Sequence, residues 1–515
     1  MDEADLRSER DKYMGTGKEK QKTKEKTTVF REGWNRKDLK TLLILTGIYV
    51  LGISTLLRAH VLYKDDLERV VREGYLGWEM CSRYISNYLA ILIQGGVSLT
   101  DQSPLQQLIA ALFMAASSLI VVRALESVHE PSDRRGRWVK YPAAVIMGLN
   151  PYFLACFSFQ FDSAFMAFSV LAAVFPFALS PRRRKTFLAA SLVCTLVVMM
   201  TYQASSGIFP MLVLFYALLQ WTDRRTEGKQ ALVLIGQSAA AYLAGLAIFK
   251  LFFMHNLPSY KRGAMIPFAH LLSGLEKNYR ILLRVLRHDF PLFWKILFLL
   301  AGMLFFVSVL WTSHRNRLAT LIVLVAAVAA CCLLSTGVLI MLEDFPTTRR
   351  SAYGIFVLLS FMLITLACRS RIHVGKLVCL SVFWIFFSFS FTYGNALEEN
   401  SRWVGVQLET AVRDLNSLAL MQTDTKKQIQ LAGRFAVDES LKKARKTYPV
   451  LKATLPSLKA EYQWNWYRLM HYYGLKNVYR DKNNDLCEAR LPLLLETMFY
   501  EIYGDDQHIL IEFRQ

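Results

Sequence analysis

The chain has 515 residues, 53% of them hydrophobic, with a mean hydropathy of +0.26. That is too apolar for an ordinary soluble domain and points to several membrane spans plus a soluble part. A formal net charge of +20 would suit nucleic acid, but the basic residues cluster between apolar runs, as membrane topology requires, so nucleic acid is set aside as a partner.

Residues 1–38 are polar and lysine-rich (KEKQKTKEK) and lack the apolar core and cleavage site of a signal peptide, so a disordered cytoplasmic tail is expected. Apolar runs follow near 39–57, 104–125, 141–157, 163–180, 186–202, 206–221, 230–253, 291–311, 318–341, 354–368 and 374–392. Each approaches the ~20 residues needed to cross a bilayer as a helix, giving a polytopic α-helical membrane protein of about eleven spans over 39–392. The basic clusters at Arg134, Arg135, Arg137 and Lys140, at Arg182–Lys185, at Arg224, Arg225 and Lys229, at Arg315 and Arg317, and at Arg369, Arg371 and Lys376 occupy alternate loops. The positive-inside rule puts those loops and the N-terminus in the cytoplasm. Stretches 58–103, 254–290, 342–353 and 393–515 then lie outside. The last is long enough for a small α/β domain, with a helix near 396–419 and strands near 427–432 and 508–513.

Cysteine spacing shows no zinc or CxxC pattern; Cys81 and Cys487 fall on the same predicted side, where a disulfide between them is an open alternative. P-loop, GxGxxG and GxSxG motifs are missing from the sequence.

Loop 58–103 carries the densest chemistry: Asp65, Asp66, Glu68, Arg69, Arg72, Glu73, Tyr75, Trp78, Glu79 and Arg83. A carboxylate at the membrane surface can take a proton from a hydroxyl, and arginines beside it can hold a phosphate. The same charges would equally suit a solvated loop. Residues 84–94 (YISNYLAILIQ) are expected to form a helix lying in the interface. In 268–288, Lys277, Arg280, Arg284 and Arg287 recur at helical spacing opposite Leu275, Leu282 and Leu286. That basic face suits either anionic headgroups or the phosphate of a lipid-linked substrate. Arg349 and Arg350 on the outside run against the positive-inside trend, which favours a binding role. Asp162 at a span boundary is read as either a helix cap or a site residue. Tyr462, Trp464, Trp466 and Tyr467 can stack on sugar rings or fill a core.

Within 63–112, Asp65–Asp66, the element Gly74 to Trp78, Arg83 and the turn Leu99 to Leu105 fall in order. NPYFLACFSFQFDSA from Asn150 and MTYQASSGIF from Met200 follow. Together these resemble the bacterial type II O-antigen glucosyltransferases, the phage serotype-conversion group, over roughly residues 60–400. The family has a small polar or Gly residue before its Arg and a Pro after it; here Ser82 and Tyr84 flank Arg83, which leaves the sugar and acceptor preference open. The resemblance implies a C-type membrane glycosyltransferase architecture and outward-facing transfer of a sugar, commonly glucose, from a polyprenyl-phosphate donor to a surface polysaccharide such as O-antigen. It also implies an aspartate of the first outer loop as general base.

On this reading Asp66 is the first choice for the base and Asp65 the second. Arg69, Arg83, Arg280, Arg284, Arg349 and Arg350 are the candidate donor-phosphate cations, and Tyr75, Trp78 and Asp162 the candidate substrate contacts. No cofactor is required; a divalent metal is compatible with the acidic pair. Expected partners are the lipid-linked donor, the polysaccharide acceptor and membrane lipid, together with the flippase and donor synthase that serve the same reaction. The expected location is the bacterial inner membrane. A glycan polymerase or ligase, or a flippase for lipid-linked sugar, is the alternative; the scarcity of charge within the spans speaks against transport.

Overall fold

The computed structural model describes residues 35–72, 76–128, 137–254, 263–369, 373–422, 425–469, 473, 475, 477–480 and 491–514. Helix α1 (Arg36–Gly52) opens on a capping box in which the Asn35 side chain accepts from Lys37 and Asp38 N–H while Asp38 returns a bond to Asn35 N–H. It is followed by α2 (Ser54–Ala59), a one-turn α3 (Asp66–Arg69) and α4 (Tyr84–Gln94). The last has the bounds expected of an interface helix, with Tyr88 and Leu92 exposed.

The central helix α5 (Leu105–Glu126) packs on α1, on α6 (Lys140–Val145) and on α8 (Ser163–Val174). The run 141–157 divides into α6 and α7 (Pro151–Phe157). Asn150 accepts from Tyr152 and Phe153 N–H and Pro151 takes the first helical position, so the Asn–Pro pair starts a new helix instead of extending the old one. Helices α9 (Arg184–Met199), α10 (Ile208–Thr222), α11 (Gly228–Ile248), α12 (Leu271–Asp289), α13 (Leu292–Thr312), α14 (Arg317–Leu334) and α15 (Gly354–Arg369) complete the bundle. Helices α5, α10 and α15 are largely buried, whereas α11, α13 and α14 turn Leu232, Leu292, Phe293, Leu299, Trp311 and Ile322 outward. An apolar outer belt around a packed interior suits lipid.

Six helical segments among the described residues are long and apolar enough to cross a membrane: Leu105–Glu126, Gln203–Thr222, Gly228–Phe253, Leu292–Thr312, Arg317–Leu334 and His373–Ser417. Ser163–Leu179 and Gly354–Arg369 are apolar but shorter. The other expected spans take the form of shorter helices, so this chain is a helical membrane protein with six candidate full-length spans among its described residues.

Helix α16 (His373–Ser417) joins the last expected span to the first C-terminal helix without a break. No proline interrupts its 45 residues, so the axis runs on for about 68 Å. A tight crossing occurs at Gly394, where an added Cβ would lie 2.4 Å from Thr55 Oγ1 and 2.6 Å from Leu56 N. A glycine is therefore what lets α2 press on the helix backbone.

Past α16 come β1 (Lys427–Gly433), α17 (Glu439–Thr447), α18 (Leu451–Thr454), α19 (Gln463–Tyr467), β2 (Val478–Arg480), β3 (Leu493–Glu496), β4 (Tyr500–Gly504) and β5 (His508–Phe513). The strands form a mixed sheet in the order β2-β1-β5-β4-β3, with β1 parallel to both neighbours and the β5–β4–β3 edge antiparallel. Ile429, Leu431, Ile502, Ile509, Ile511 and Phe513 are buried. Gln407 on α16 exchanges two hydrogen bonds with the Ala436 backbone, and Tyr500 donates to Asp414 at 2.6 Å, so the long helix carries the sheet. Cys487 and His471 lie outside the described residues, as does the suggested Cys81–Cys487 pairing.

The bundle gathers its loops in two groups. Arg315 donates to the Trp221 and Thr226 carbonyls, and Arg369 to Thr222 and Asp223, joining three of the predicted cytoplasmic loops. At the other ends of α10 and α15, the predicted outer stretches 342–353 and 393–515 meet residues 63–69, and Asp289 of 254–290 joins the same end through Arg349 and Val450.

Candidate active site

The acidic pair is built by a turn. Lys64 takes the left-handed region (φ 54°), uncommon for a lysine, and this reverses the chain into α3 so that Asp65 and Asp66 stand at its start. Asp66 is fully buried. Its carboxylate accepts from Tyr63 N–H at 3.1 Å, Gln160 N–H at 2.9 Å and Phe161 N–H at 3.4 Å, and so pins the loop to the turn between α7 and α8. Burial first, and then the charge of Asp162, push its pKa well above the carboxylate range; the backbone N–H groups and Arg69 oppose this in part.

Arg69, Trp78 and Asp162 form a buried knot behind that carboxylate. Arg69 Nη1 donates to Asp162 Oδ2 at 3.0 Å, Trp78 Nε1 donates to Asp162 Oδ1 at 2.5 Å, and the guanidinium lies 4.2 Å over the Trp78 ring. Asp162 stands at the N-cap position of α8 but makes no capping bond; both its oxygens serve the loop. These three side chains hold the outer loop in shape instead of facing open space. Tyr75 lies outside the described residues.

Asp65 has different surroundings. Its side chain is 33% exposed, and Oδ2 stands 4.0 Å from Arg350 Nη2. The Arg350 guanidinium lies 4.5 Å over the Phe159 ring, and its Nη1 is buried without a hydrogen-bond partner. Burial alone would lower the Arg350 pKa; Tyr202, Asp65, Tyr63 and Asp162 outweigh it and keep the group charged. On the other side of Asp65, Lys64 is brought down to about 7, by burial first and then by Arg350, with Asp65 opposing. An accessible carboxylate, a guanidinium nitrogen without a partner and an amine of depressed pKa thus sit together.

Arg83 lines the same end. Its Nε donates to Gln203 Oε1 at 3.1 Å, it lies 4.9 Å over Tyr202, and Tyr202 donates to the Arg350 carbonyl at 3.0 Å. Arg349, by contrast, is already committed. It binds the buried Asp289 through Nε at 2.7 Å and Nη2 at 2.6 Å, and Tyr152 donates to Asp289 as well. Asp289 therefore ties α12 to α7 and the loop before α15. Arg280 pairs with Glu276 on its own helix and Arg284 is exposed beside it; the opposite face docks through Asn278, which donates to the Ile340 and Leu342 carbonyls. The basic face of α12 therefore looks outward, and the structure groups Asp65 with Arg350, Arg83 and Lys64 instead.

The C-terminal domain closes over the loop. Tyr63 donates to the Thr454 carbonyl, Tyr467 donates to Glu68 at 2.8 Å, and Val450 N–H donates to the Asp289 carbonyl at 2.9 Å. Trp464 and Tyr467 pack on the apolar cluster of Leu62, Leu67, Trp78, Phe161 and Phe165. That accounts for two of the four aromatics as packing. Sequence reasoning passed over Lys64, Asp289 and the cations of the C-terminal domain: Lys64 had its place beside the acidic pair as a signal, while Asp289 had none at 60 residues from Arg349. Among the described residues, no group of three or more His, Cys, Asp or Glu is placed to hold a metal ion.

Comparison with known proteins agrees with this frame. Residues 54–367 match the family model described as glucosyl transferase GtrII. An uncharacterised 55.3 kDa protein from the gtrB 5′ region of Salmonella phage P22 is 21% identical over 215 residues, 42% of each chain. The matched part is thus less than half of that relative's length. No solved structure matches. The family match covers both spans and loops that build the Asp65–Arg350 site, and it extends over more than half of the chain; the chain belongs to the glucosyl transferase GtrII family.

Proposed function

We propose that the protein transfers a glucosyl unit from a polyprenyl-phosphate donor to a surface polysaccharide of the O-antigen type, at the outer face of the bacterial inner membrane. In this scheme Asp65 is the general base and Arg350 the principal phosphate cation. An acceptor hydroxyl attacks the anomeric carbon and passes its proton to Asp65. The bond from that carbon to the phosphate oxygen breaks, and polyprenyl phosphate leaves with the electron pair. The observation that carries the reading is the contrast within the acidic pair. Asp66 is sealed among backbone N–H groups, while Asp65 is accessible beside a guanidinium that has a nitrogen to spare. Arg83 and Lys64 add positive charge at the same end, and Arg69, Trp78 and Asp162 act by holding the loop. A lipid carrier fits an outward site because nucleotide sugars are cytoplasmic. The C-type architecture with about eleven crossings belongs to the same proposal.

The test is to incubate purified protein with polyprenyl-phosphate glucose, its mannose and galactose counterparts, and O-polysaccharide. Transfer or slow hydrolysis selective for one donor is the expected result; inertness toward all of them would remove the reading. Mass spectrometry of the surface polymer from a deletion strain separates the alternatives: loss of one hexose per repeat fits transfer, and loss of chain length fits a polymerase or ligase.

A further inference from the structure

Beside the acidic pair, on the side of Lys64 that faces the C-terminal domain, lies a cavity of about 420 Å³. It is lined by Lys64, Arg434, Arg445, Lys452, Tyr462, Ala453 and the segment 455–458. Its size falls within the roughly 300–1,000 Å³ typical of ligand sites. Four of the lining residues are cations, and none of its described lining residues is an Asp or Glu. Arg445 spends Nη2 on Asn400 at 2.5 Å, while its Nε is buried without a partner. Burial and the neighbouring Arg434 both depress the Arg445 pKa, and burial and Arg350 bring Lys64 to about 7. Like charges held this close repel one another, and an anion between them would relieve both the repulsion and the missing hydrogen bond.

We infer that this cavity is a subsite for an acidic saccharide, and that it holds a carboxylate- or phosphate-bearing sugar of the acceptor next to Asp65. The inference rests on the transfer reading above for the identity of the occupant as acceptor. Three observations favour acceptor over donor. The cavity shares Lys64 and Tyr462 with the surroundings of Asp65, the group that would receive the acceptor's proton. Apart from Lys64, its lining residues lie beyond residue 367, outside the part of the chain that matches the family, where a feature peculiar to this protein's acceptor belongs. Its lining is too polar to seat a polyprenyl chain, which needs lipid or an apolar groove.

The experiment is calorimetric titration of the purified full-length protein with three probes: a galacturonate trisaccharide, the matching neutral galactose trisaccharide, and inorganic phosphate. Binding of the acidic trisaccharide at least tenfold tighter than the neutral one is expected, with inorganic phosphate binding more weakly than the acidic trisaccharide. Arg434→Gln with Lys452→Gln should erase the preference. Both side chains are exposed, and a thermal melt checks the fold; if the double variant melts early, Lys452→Gln alone should reduce the preference at least threefold. Equal affinity for the two trisaccharides, a preference that survives substitution, or phosphate binding as tightly as the acidic sugar would each overturn the proposal. So would a variant whose weakened ligand is polyprenyl-phosphate glucose, since the cavity would then hold the donor. Wild-type protein that binds the acidic trisaccharide but moves no glucose would instead count against the transfer reading alone.

Discussion

At the scale of single residues, the acidic pair separates into a buried anchor, Asp66, and an accessible carboxylate, Asp65. Asp65→Asn should lower glucosyl transfer by at least 100-fold at unchanged melting temperature, because only the proton acceptor is lost. Asp66→Asn can keep its oxygen at the Oδ2 position, where the N–H groups of Tyr63 and Gln160 both donate, and gives up only the longer bond from Phe161, so it should fold and retain measurable transfer. Equal loss in both variants would return the base to Asp66. Lys64 supplies a pH test. Arg350, Asp65, Tyr63 and Tyr462 surround it, with Arg434, Arg445 and Lys452 across the cavity. Because its folded pKa is depressed to about 7, it is charged below that pH and neutral above it. Affinity for an acidic saccharide should fall as pH rises through 7 and lose that step in Lys64→Met, measured by titration at pH 6 and 8.5. Both acids were visible in the sequence, but their division of labour was not, since adjacent carboxylates are identical until one knows which backbone N–H groups reach them. The same holds for Arg349 and Arg350: the pair was legible as unusual, and only the packing shows that Asp289 claims the first.

At the scale of elements, local chemistry made some pieces readable. The alternation in KQIQL and HILIEF specified β1 and β5, and YISNYLAILIQ specified α4 to the residue. The division of 141–157 was signalled by Asn150–Pro151 and hidden by unbroken hydropathy on both sides. The fusion of a span with the next helix into α16 was hidden for a different reason. Polar residues after 392 mark where the helix leaves its apolar surroundings, not where it stops, and a helix ends only when its backbone bonds do. Continuity makes α16 a strut between bundle and sheet, and Gly394 is where α2 grips it. Gly394→Ala puts a methyl against the backbone of α2, an overpacking that costs about 1–3 kcal/mol. A clear drop in melting temperature is expected, whereas Gly236→Ala, mid-helix and meeting nothing within 4 Å, should hold it or raise it slightly.

At the scale of the molecule, the site is a junction of stretches far apart in sequence. Loop 58–103 is held on one side by the Asp66 bonds and the Arg69–Asp162–Trp78 knot, and on the other by Trp464 and Tyr467 of the C-terminal domain. Periodicity and charge could assign each stretch to one end of the bundle, since sidedness follows from alternate basic loops. They could not say that a segment near 460 sits on one near 65, because that contact depends on α16 projecting the sheet back over the loop. The arrangement makes the C-terminal domain a structural partner of the reactive carboxylate and not merely an appendage. Trp464→Ala removes a half-buried ring that packs against the shared apolar cluster, a change smaller than the ~3–5 kcal/mol of a fully buried Trp. Amide exchange of residues 61–70 should then accelerate by at least tenfold while exchange in α5 and α15 stays as in the wild type, and transfer should fall in parallel. Unchanged protection of 61–70 would mean that the Asp66 bonds and the knot suffice, and the role of the domain would shrink to binding the acceptor. Accelerated exchange with full activity would mean that Asp65 needs no fixed loop, which would break the link between the fold of this end and the chemistry assigned to it.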